Sequence, residues 1–342
     1  MRKNKWHITS FLLLSVLTAF AQKPIGKTRF FREDTLITMD LSTDLKKLVS
    51  EKKLNSYQPA TVTLRFADSS VISEPITLSA RGEFRRKNCY LPTLRLDFKT
   101  PASPKLSPLK KIKLVCGCDK GPLSERLILK EFLTYKIFNL LTAMSFRVRL
   151  LYVNYQDTRG KIKSYSQYGF LIEDVDEMAK RNKCKEVQKQ AFNTEKTDRQ
   201  QMTLVAIFQY MIGNTDWAVP NYHNIKLMRP LTDTISFPYP IPYDFDFCGL
   251  VDASYATPDE ALGTQSVRER VYRGFPRTMN ELQTALTLFR EKREAIKKLV
   301  IGFELLGLRY REELMDYINE FYKEIESKNF VRDAFITNAR IK

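Results

Sequence analysis

Histidine is nearly missing from this chain, with His7 and His223 the only two among 342 residues. A metal centre of several imidazoles is thereby excluded, and a histidine catalyst in the folded body has only His223 to draw on. Glycine is sparse as well, 12 in all, and nowhere forms the glycine-rich phosphate loop of a P-loop ATPase. Apart from its first residues the chain has no apolar run long enough to span a bilayer. Acidic side chains fall short of basic ones, 39 against 56, for a formal charge of +17. That surplus suits an anionic partner such as phosphate, nucleic acid or an anionic lipid surface without choosing among them. What is present, 43% apolar and 28% charged residues, describes a foldable chain with enough length for one large or two modest domains and excludes disorder and fibres.

The amino terminus reads as a cleaved secretory signal. Arg2, Lys3 and Lys5 precede a short apolar run at residues 8–21, and Ala19 and Ala21 place small residues before a cut at Gln22. The run is short for a membrane anchor, so no transmembrane span is expected in the mature chain. Removing residues 1–21 takes three positive charges from +17 and leaves +14. An exported or periplasmic location argues against a nucleic-acid partner and leaves contact with the envelope surface open. The five cysteines, at 89, 116, 118, 184 and 248, are an odd set for an oxidising compartment. Cys116 and Cys118 are too close for usual zinc spacing, and no second pair accompanies them. A bridge from Cys89 to Cys116 or Cys118 and a set of buried free thiols stand as equal expectations.

Periodicity divides the chain. Residues 28–172 carry mainly strand signals, in TVTLRF from Thr61, PITLSARG from Pro75, TLRLDF from Thr93, KIKLVC from Lys111, FRVRLLYVNY from Phe146 and YGFLIE from Tyr168. One helix interrupts them over residues 124–141, with Ser124 as its N-cap, and Leu127, Glu131, Phe132, Tyr135 and Phe138 at helical spacing. From Asp174 helices dominate, including residues 200–213 and at least two within 280–327. The expected organisation is a signal at 1–21, a strand-rich lobe at 22–172 on the nucleotide-binding side, and a mainly helical lobe at 173–342.

GNTDWAVPNYHNIKLM, from Gly213 to Met228, is the most informative stretch. An apolar helix delivers Asp216 to a loop held by Gly213 and Pro220, and Asn224 directly precedes a short strand. A second strand, in PYPIPYDFDF from Pro238, runs into Asp244 and Asp246. Loop Asp, then Asn, then strand-terminal Asp is a pattern that phosphoryl transfer uses: one carboxylate orients the attacking hydroxyl, while Asn and the other carboxylate hold Mg²⁺ against phosphate.

On these residues the chain resembles the spore-coat CotH-type atypical kinases, and more distantly phosphatidylinositol 4-kinases and HipA-like kinases. The motifs that carry the resemblance are ARGEFRRKN with TLRLDF, LKKIKLVCGC with the following helix, YGFLIEDVD, the Asn-Thr-Asp loop and IPYDFDF, in that order over residues 71–250. The resemblance implies an α+β, two-lobed protein-kinase-like fold that uses ATP with Mg²⁺ or Mn²⁺. It implies Asp216 as catalytic acid/base, Asp244 as metal ligand, and Asp246 as a second ligand or a support for the first. The metal Asn is Asn221 by kinase spacing or Asn224 by strand register; strand register is preferred, because an adjoining strand fixes the ligand. His223 is expected to pack or hydrogen-bond.

The nucleotide side departs from the family pattern, since Leu91 and Pro92 stand where adjacent lysines are usual. Arg81, Arg95 and Lys113 are the candidates to replace the phosphate lysine, with Glu131 as the paired carboxylate. Arg81 stands first, because Gly82 beside it permits close backbone approach. Arg268, Arg270 and Arg273 are a secondary phosphate candidate or a solvated face. The expected activity is transfer of the ATP γ-phosphoryl group to a hydroxyl, Ser or Thr of an exported protein. A non-catalytic binding or assembly protein is the alternative.

Overall fold

The structure is a computed structural model that describes residues 30–54, 56–187, 191–233 and 235–340. The expected signal at 1–21 lies outside the described residues, as do residues 22–29 of the expected strand-rich lobe. Seven strands form the first half: β1 Ile37–Thr43, β2 Tyr57–Arg65, β3 Val71–Ala80, β4 Leu94–Asp97, β5 Lys111–Val115, β6 Val148–Asp157 and β7 Tyr165–Ile172. They close into a barrel in the order β1-β2-β3-β4-β5-β7-β6. Every neighbouring pair is antiparallel except β1 with β6, which runs parallel and seals the cylinder, with Ile37 opposite Leu151 and Thr43 opposite Asp157.

Burial follows the two environments of the wall. β1 alternates buried and half-buried residues along its length, and Met39, Leu41, Val62, Leu64, Leu78 and Leu96 point into one apolar core. β6 and β7 instead read as near-continuous buried runs. Their inward residues, such as Val153 and Leu171, join the barrel core. Their outward residues, such as Leu150 and Phe170, pack on a helix that covers that side. This is α3, Pro122–Leu141, which follows two single-turn helices, α1 Leu45–Ser50 and α2 Glu83–Asn88. Gly121, at φ 113, is the N-cap of α3 and Pro122 opens its first turn. Ser124, expected as the cap, is buried inside that turn, where its Oγ accepts from the Asp119 amide at 3.0 Å.

The second half holds α4 Val175–Arg181, α5 Arg199–Met211, α6 Met279–Ile301, α7 Leu308–Glu326 and α8 Lys328–Arg332. It also holds a small antiparallel sheet of β8 Cys184–Glu186, β9 Ile225–Pro230 and β10 Tyr239–Pro242, with β9 in the middle. Asp198 caps α5 by accepting from the Gln201 amide, and Thr278 with Glu281 forms a reciprocal capping box on α6. α3, α5, α6 and α7 share one apolar core built on Phe138, Phe208, Phe289 and Phe321. Among the described residues no helix is long and apolar enough to cross a membrane.

The α+β class stands, but the two-lobed protein-kinase-like fold does not. The strand-rich half is a closed seven-stranded mixed barrel and not a kinase-like lobe. The difference lies in β1, which had not been read as a strand. By pairing with β2 on one side and β6 on the other, it leaves the sheet with no open edge. That half also carries α1 and α2 besides the one helix expected.

Candidate functional site

A cavity of about 480 Å³ lies where the outer barrel face meets the loop after α5 and the ends of β9 and β10. The barrel contributes Arg81, Thr93, Lys113, Val115 and Ile172; the second half contributes Asp216, His223, Asn224, Asp244 and Asp246. α2 lies along it, with Phe84 and Arg85 in the lining.

The Asp216 loop is held by its own sequence. Gly213 ends α5 at φ +64, and a Cβ there would stand 2.1 Å from the Tyr317 hydroxyl, so no other residue fits without displacement. Asn214, fully buried, accepts from the Asp216 amide at 3.0 Å through Oδ1 and donates to Gln209 Oε1 through Nδ2 at 3.0 Å. Its carbonyl accepts from the Trp217 indole at 3.2 Å. Arg273 holds the Thr215 carbonyl, immediately before Asp216. The Asp216 carboxylate is thus presented with Oδ1 at 2.6 Å from His223 Nε2 and Oδ2 accepting from Asn224 Nδ2 at 2.9 Å.

The two asparagines separate. Asn224 is buried at the start of β9 with φ 50 and lines the cavity; its amide nitrogen is spent on Asp216, which makes Oδ1 its remaining polar atom. Its carbonyl accepts from the Tyr243 amide at 3.0 Å, which sets Asn224 beside the end of β10 and next to Asp244. Asn221 is exposed, lies outside the lining, and accepts from the His223 amide at 3.3 Å. His223 is half-exposed, and the bond to Asp216 is the hydrogen-bonding role expected of it.

Asp244 sits in the left-handed region at φ 65, its amide donating to Tyr135 Oη at 2.8 Å. Its side chain is exposed and opens onto the cavity. Burial and the neighbouring Asp246 push its carboxyl up to about 6, against the pull of Arg85, Lys113 and Arg81. Opposite it stand two cations under the reverse pressure. Burial and Arg81 push Lys113 down to about 8, while Asp244 pulls the other way, and the ammonium lies over the Tyr243 ring at 5.0 Å. Burial likewise lowers Arg81, and its buried Nε has no hydrogen-bond partner. An acid and two bases whose charges are all disfavoured, one of the bases with an unpaired guanidinium nitrogen, form an arrangement that a phosphate and its counter-cation would relieve.

Asp246 and Glu131 are occupied otherwise. Both are buried against Arg85, which donates to Asp246 Oδ2 through Nε at 3.1 Å and through Nη2 at 2.8 Å, and to Glu131 Oε2 at 3.2 Å. Its Nη1 donates to the Cys116 carbonyl at 2.8 Å, and Tyr255 Oη lies 3.2 Å from Nη2. Burial opposes the charge on Arg85, but Asp246, Tyr255 and Glu131 outweigh it and raise its value. One cation cannot neutralise two acids, and burial pushes Glu131 up despite Arg85. The expected pairing of Glu131 with Arg81, Arg95 or Lys113 is therefore replaced by pairing with Arg85. Arg95 lies outside the lining, exposed on β4, its guanidinium 3.4 Å from the Tyr57 hydroxyl.

Arg85, Asn214, Tyr135, Tyr255 and Arg273 were not assigned these positions from sequence. Arg85 lies between the strand signals that end at Gly82 and begin at Thr93; as the one buried residue of a six-residue helix it leaves no periodic trace. Arg270 holds the Met211 carbonyl at 3.2 Å and that of Tyr317, and pairs with Glu320 at 3.3 Å. Cys89 is bonded to Cys118, while Cys116, Cys184 and Cys248 are buried free thiols.

Among the described residues no group of three or more His, Cys, Asp or Glu is arranged to hold a metal ion. Asn224 Oδ1 and Asp244 are hard oxygen donors on neighbouring strand ends. They suit an Mg²⁺ that takes its other ligands from phosphate and water rather than from a full protein cage. No family model matches the chain, and no curated protein matches it.

Proposed function

We propose that the cavity binds ATP with Mg²⁺ or Mn²⁺ and transfers the γ-phosphoryl group to a hydroxyl, Ser or Thr of an exported protein. The observation that carries this reading is the facing of Arg81 and Lys113 with Asp244 across a cavity that also holds Asp216 and Asn224. The resemblance of its motif order to that of CotH-type kinases supports it and does not depend on a kinase-like lobe. The Cys89–Cys118 bridge supports an oxidising location outside the cytoplasm.

Arg81 and Lys113 hold the phosphates, and a phosphate beside Lys113 favours its charged form. Asp216 orients the acceptor hydroxyl and takes its proton as the new oxygen–phosphorus bond forms and ADP departs. Both Asp216 oxygens already have partners, but each retains a second lone pair for that hydrogen bond. His223 and Asn224 fix the carboxylate plane. A divalent ion held by Asn224 Oδ1 and Asp244 would neutralise charge on the phosphates. A non-catalytic, nucleotide-binding role draws on one observation, that Asp246 is already neutralised by Arg85. Incubation with radiolabelled γ-phosphate ATP and a mixture of exported proteins separates the two: label transferred by wild type and absent with Asp216→Ala supports transfer. Nucleotide binding with no label on any acceptor or on the protein itself leaves the binding role alone.

A further inference from the structure

α2 lines the cavity with little to hold it. Residues 81–88, Arg86 excepted, face the cavity. The helix has six residues, its N-cap Gly82 at φ 81 supplies no side-chain hydrogen bond, and Arg85 is its one buried residue. A helix this short does not persist alone, and here burial of an apolar face does not hold it either. Phe84 touches Phe247 at 5.1 Å and Tyr255 at 5.7 Å between ring centres, yet remains 37% exposed.

Two side chains tie it down, Arg85, which also holds Asp246 and Glu131, and Cys89, and both reach one short stretch after β5. Arg85 Nη1 donates to the Cys116 carbonyl at 2.8 Å. Cys89, the C-cap of α2, is bonded to Cys118, two residues further along. The Leu91 amide, donating to the Cys118 carbonyl at 3.3 Å, and Lys52, bonded to the Cys89 carbonyl, reinforce the same end. We propose that the Cys89–Cys118 disulfide, acting with Arg85, holds α2 as a wall of the cavity, so that ligand capture depends on the oxidised pair.

In the reduced protein the segment that carries Arg81 and Gly82 keeps the contacts of Arg85, the bond from the Arg81 amide to the Thr93 carbonyl and the bonds of Lys52 and Leu91, but loses its covalent cross-link. A dithiol supplies two electrons and two protons to the disulfide, Cys89 and Cys118 become thiols, and the dithiol becomes a disulfide. Cys116 does not intrude on this exchange. It is buried, its Sγ donates to the Leu114 carbonyl at 3.6 Å, and burial pushes its thiol up to about 11, which keeps it from acting as a thiolate.

The test compares oxidised full-length protein, the same protein reduced with dithiothreitol, and Cys89→Ser/Cys118→Ser. Amide hydrogen exchange is followed over Glu83–Asn88, α6 and α7. Exchange in α2 is expected to rise by roughly tenfold on reduction and in the double variant, with α6 and α7 unchanged. Unchanged exchange in α2 overturns the proposal; so does an equal rise in α6 and α7, since the bridge would then support the whole fold. The ligand arm rests on the nucleotide reading: affinity for Mg²⁺ with ATP, by calorimetry, should fall roughly tenfold on reduction. Equal affinity in both forms overturns the link to capture. If oxidised protein binds no ATP, the nucleotide reading fails and the exchange arm decides this proposal by itself.

Discussion

Replacing Lys113 by Met should make the ligand-free protein more stable at neutral pH and less able to hold an anion. An ammonium brought from 10.5 to about 8 carries on the order of 3 kcal/mol of strain when fully sequestered. Lys113 is partly open to the cavity, and solvent screening removes part of that. Losing the cation over the Tyr243 ring gives back about 1 kcal/mol. The net expectation is a gain of about 1–2 kcal/mol at pH 7, a rise in Tm of roughly 2–4 °C. Its pH dependence identifies the cause. The unfolded chain keeps the Lys113 proton up to about 10.5 and the folded chain only up to about 8. The wild-type deficit is therefore full below pH 8 and closes between 8 and 10.5. Urea melts of both proteins at pH 7 and pH 10 measure it. A gap equal at both values, or a variant less stable at pH 7, would refute the argument that a strained cation faces the cavity. The stabilised variant should also lose most of the Tm increase that ATP with Mg²⁺ gives wild type.

Asp216→Ala should abolish phosphoryl transfer while leaving metal–nucleotide binding nearly intact, whereas Asp244→Ala should weaken both; wild-type label transfer in Asp244→Ala would contradict the site. Asn224→Ala should reduce activity strongly and recover in part with excess Mg²⁺ or Mn²⁺, while Asn221→Ala stays mild; the reverse pattern in steady-state rates would move the ligand to Asn221. Arg85→Met leaves Asp246 and Glu131 buried without their cation and should cost about 3–5 kcal/mol in a denaturant titration, whereas a loss under 1 kcal/mol would show that the cluster is solvated.

Local pattern carried most elements and little of their closure. The alternation in β2 and β3, the apolar runs in β6 and β7 and the helical spacing in α3 are short-range signals, each legible within about ten residues. The barrel is sealed by β1 on β6, where Asn154 Nδ2 donates to Asp40 Oδ1 across 114 residues, and no local period encodes that partner. The Asp216 loop was legible because Gly213 and Pro220 bracket it with turn chemistry, and because Asn224 and Asp244 adjoin strands that pair. Arg85 was not, since its partners come from α3, from the stretch after β5 and from the segment after β10, 31 to 170 residues away. Arg95 failed for the complementary reason. It stands opposite Lys113 in the ladder, but strand register fixes which face a side chain takes and not how far along that face the cavity extends.

The most direct test of the nucleotide site is a thermal titration of wild-type protein with ATP, in parallel with Mg²⁺ or Mn²⁺ and with chelator. The account predicts a larger rise in Tm with the metal, approaching about 2.7 kcal/mol of stabilisation at a hundredfold excess over Kd. No metal-dependent shift at millimolar ATP would contradict it.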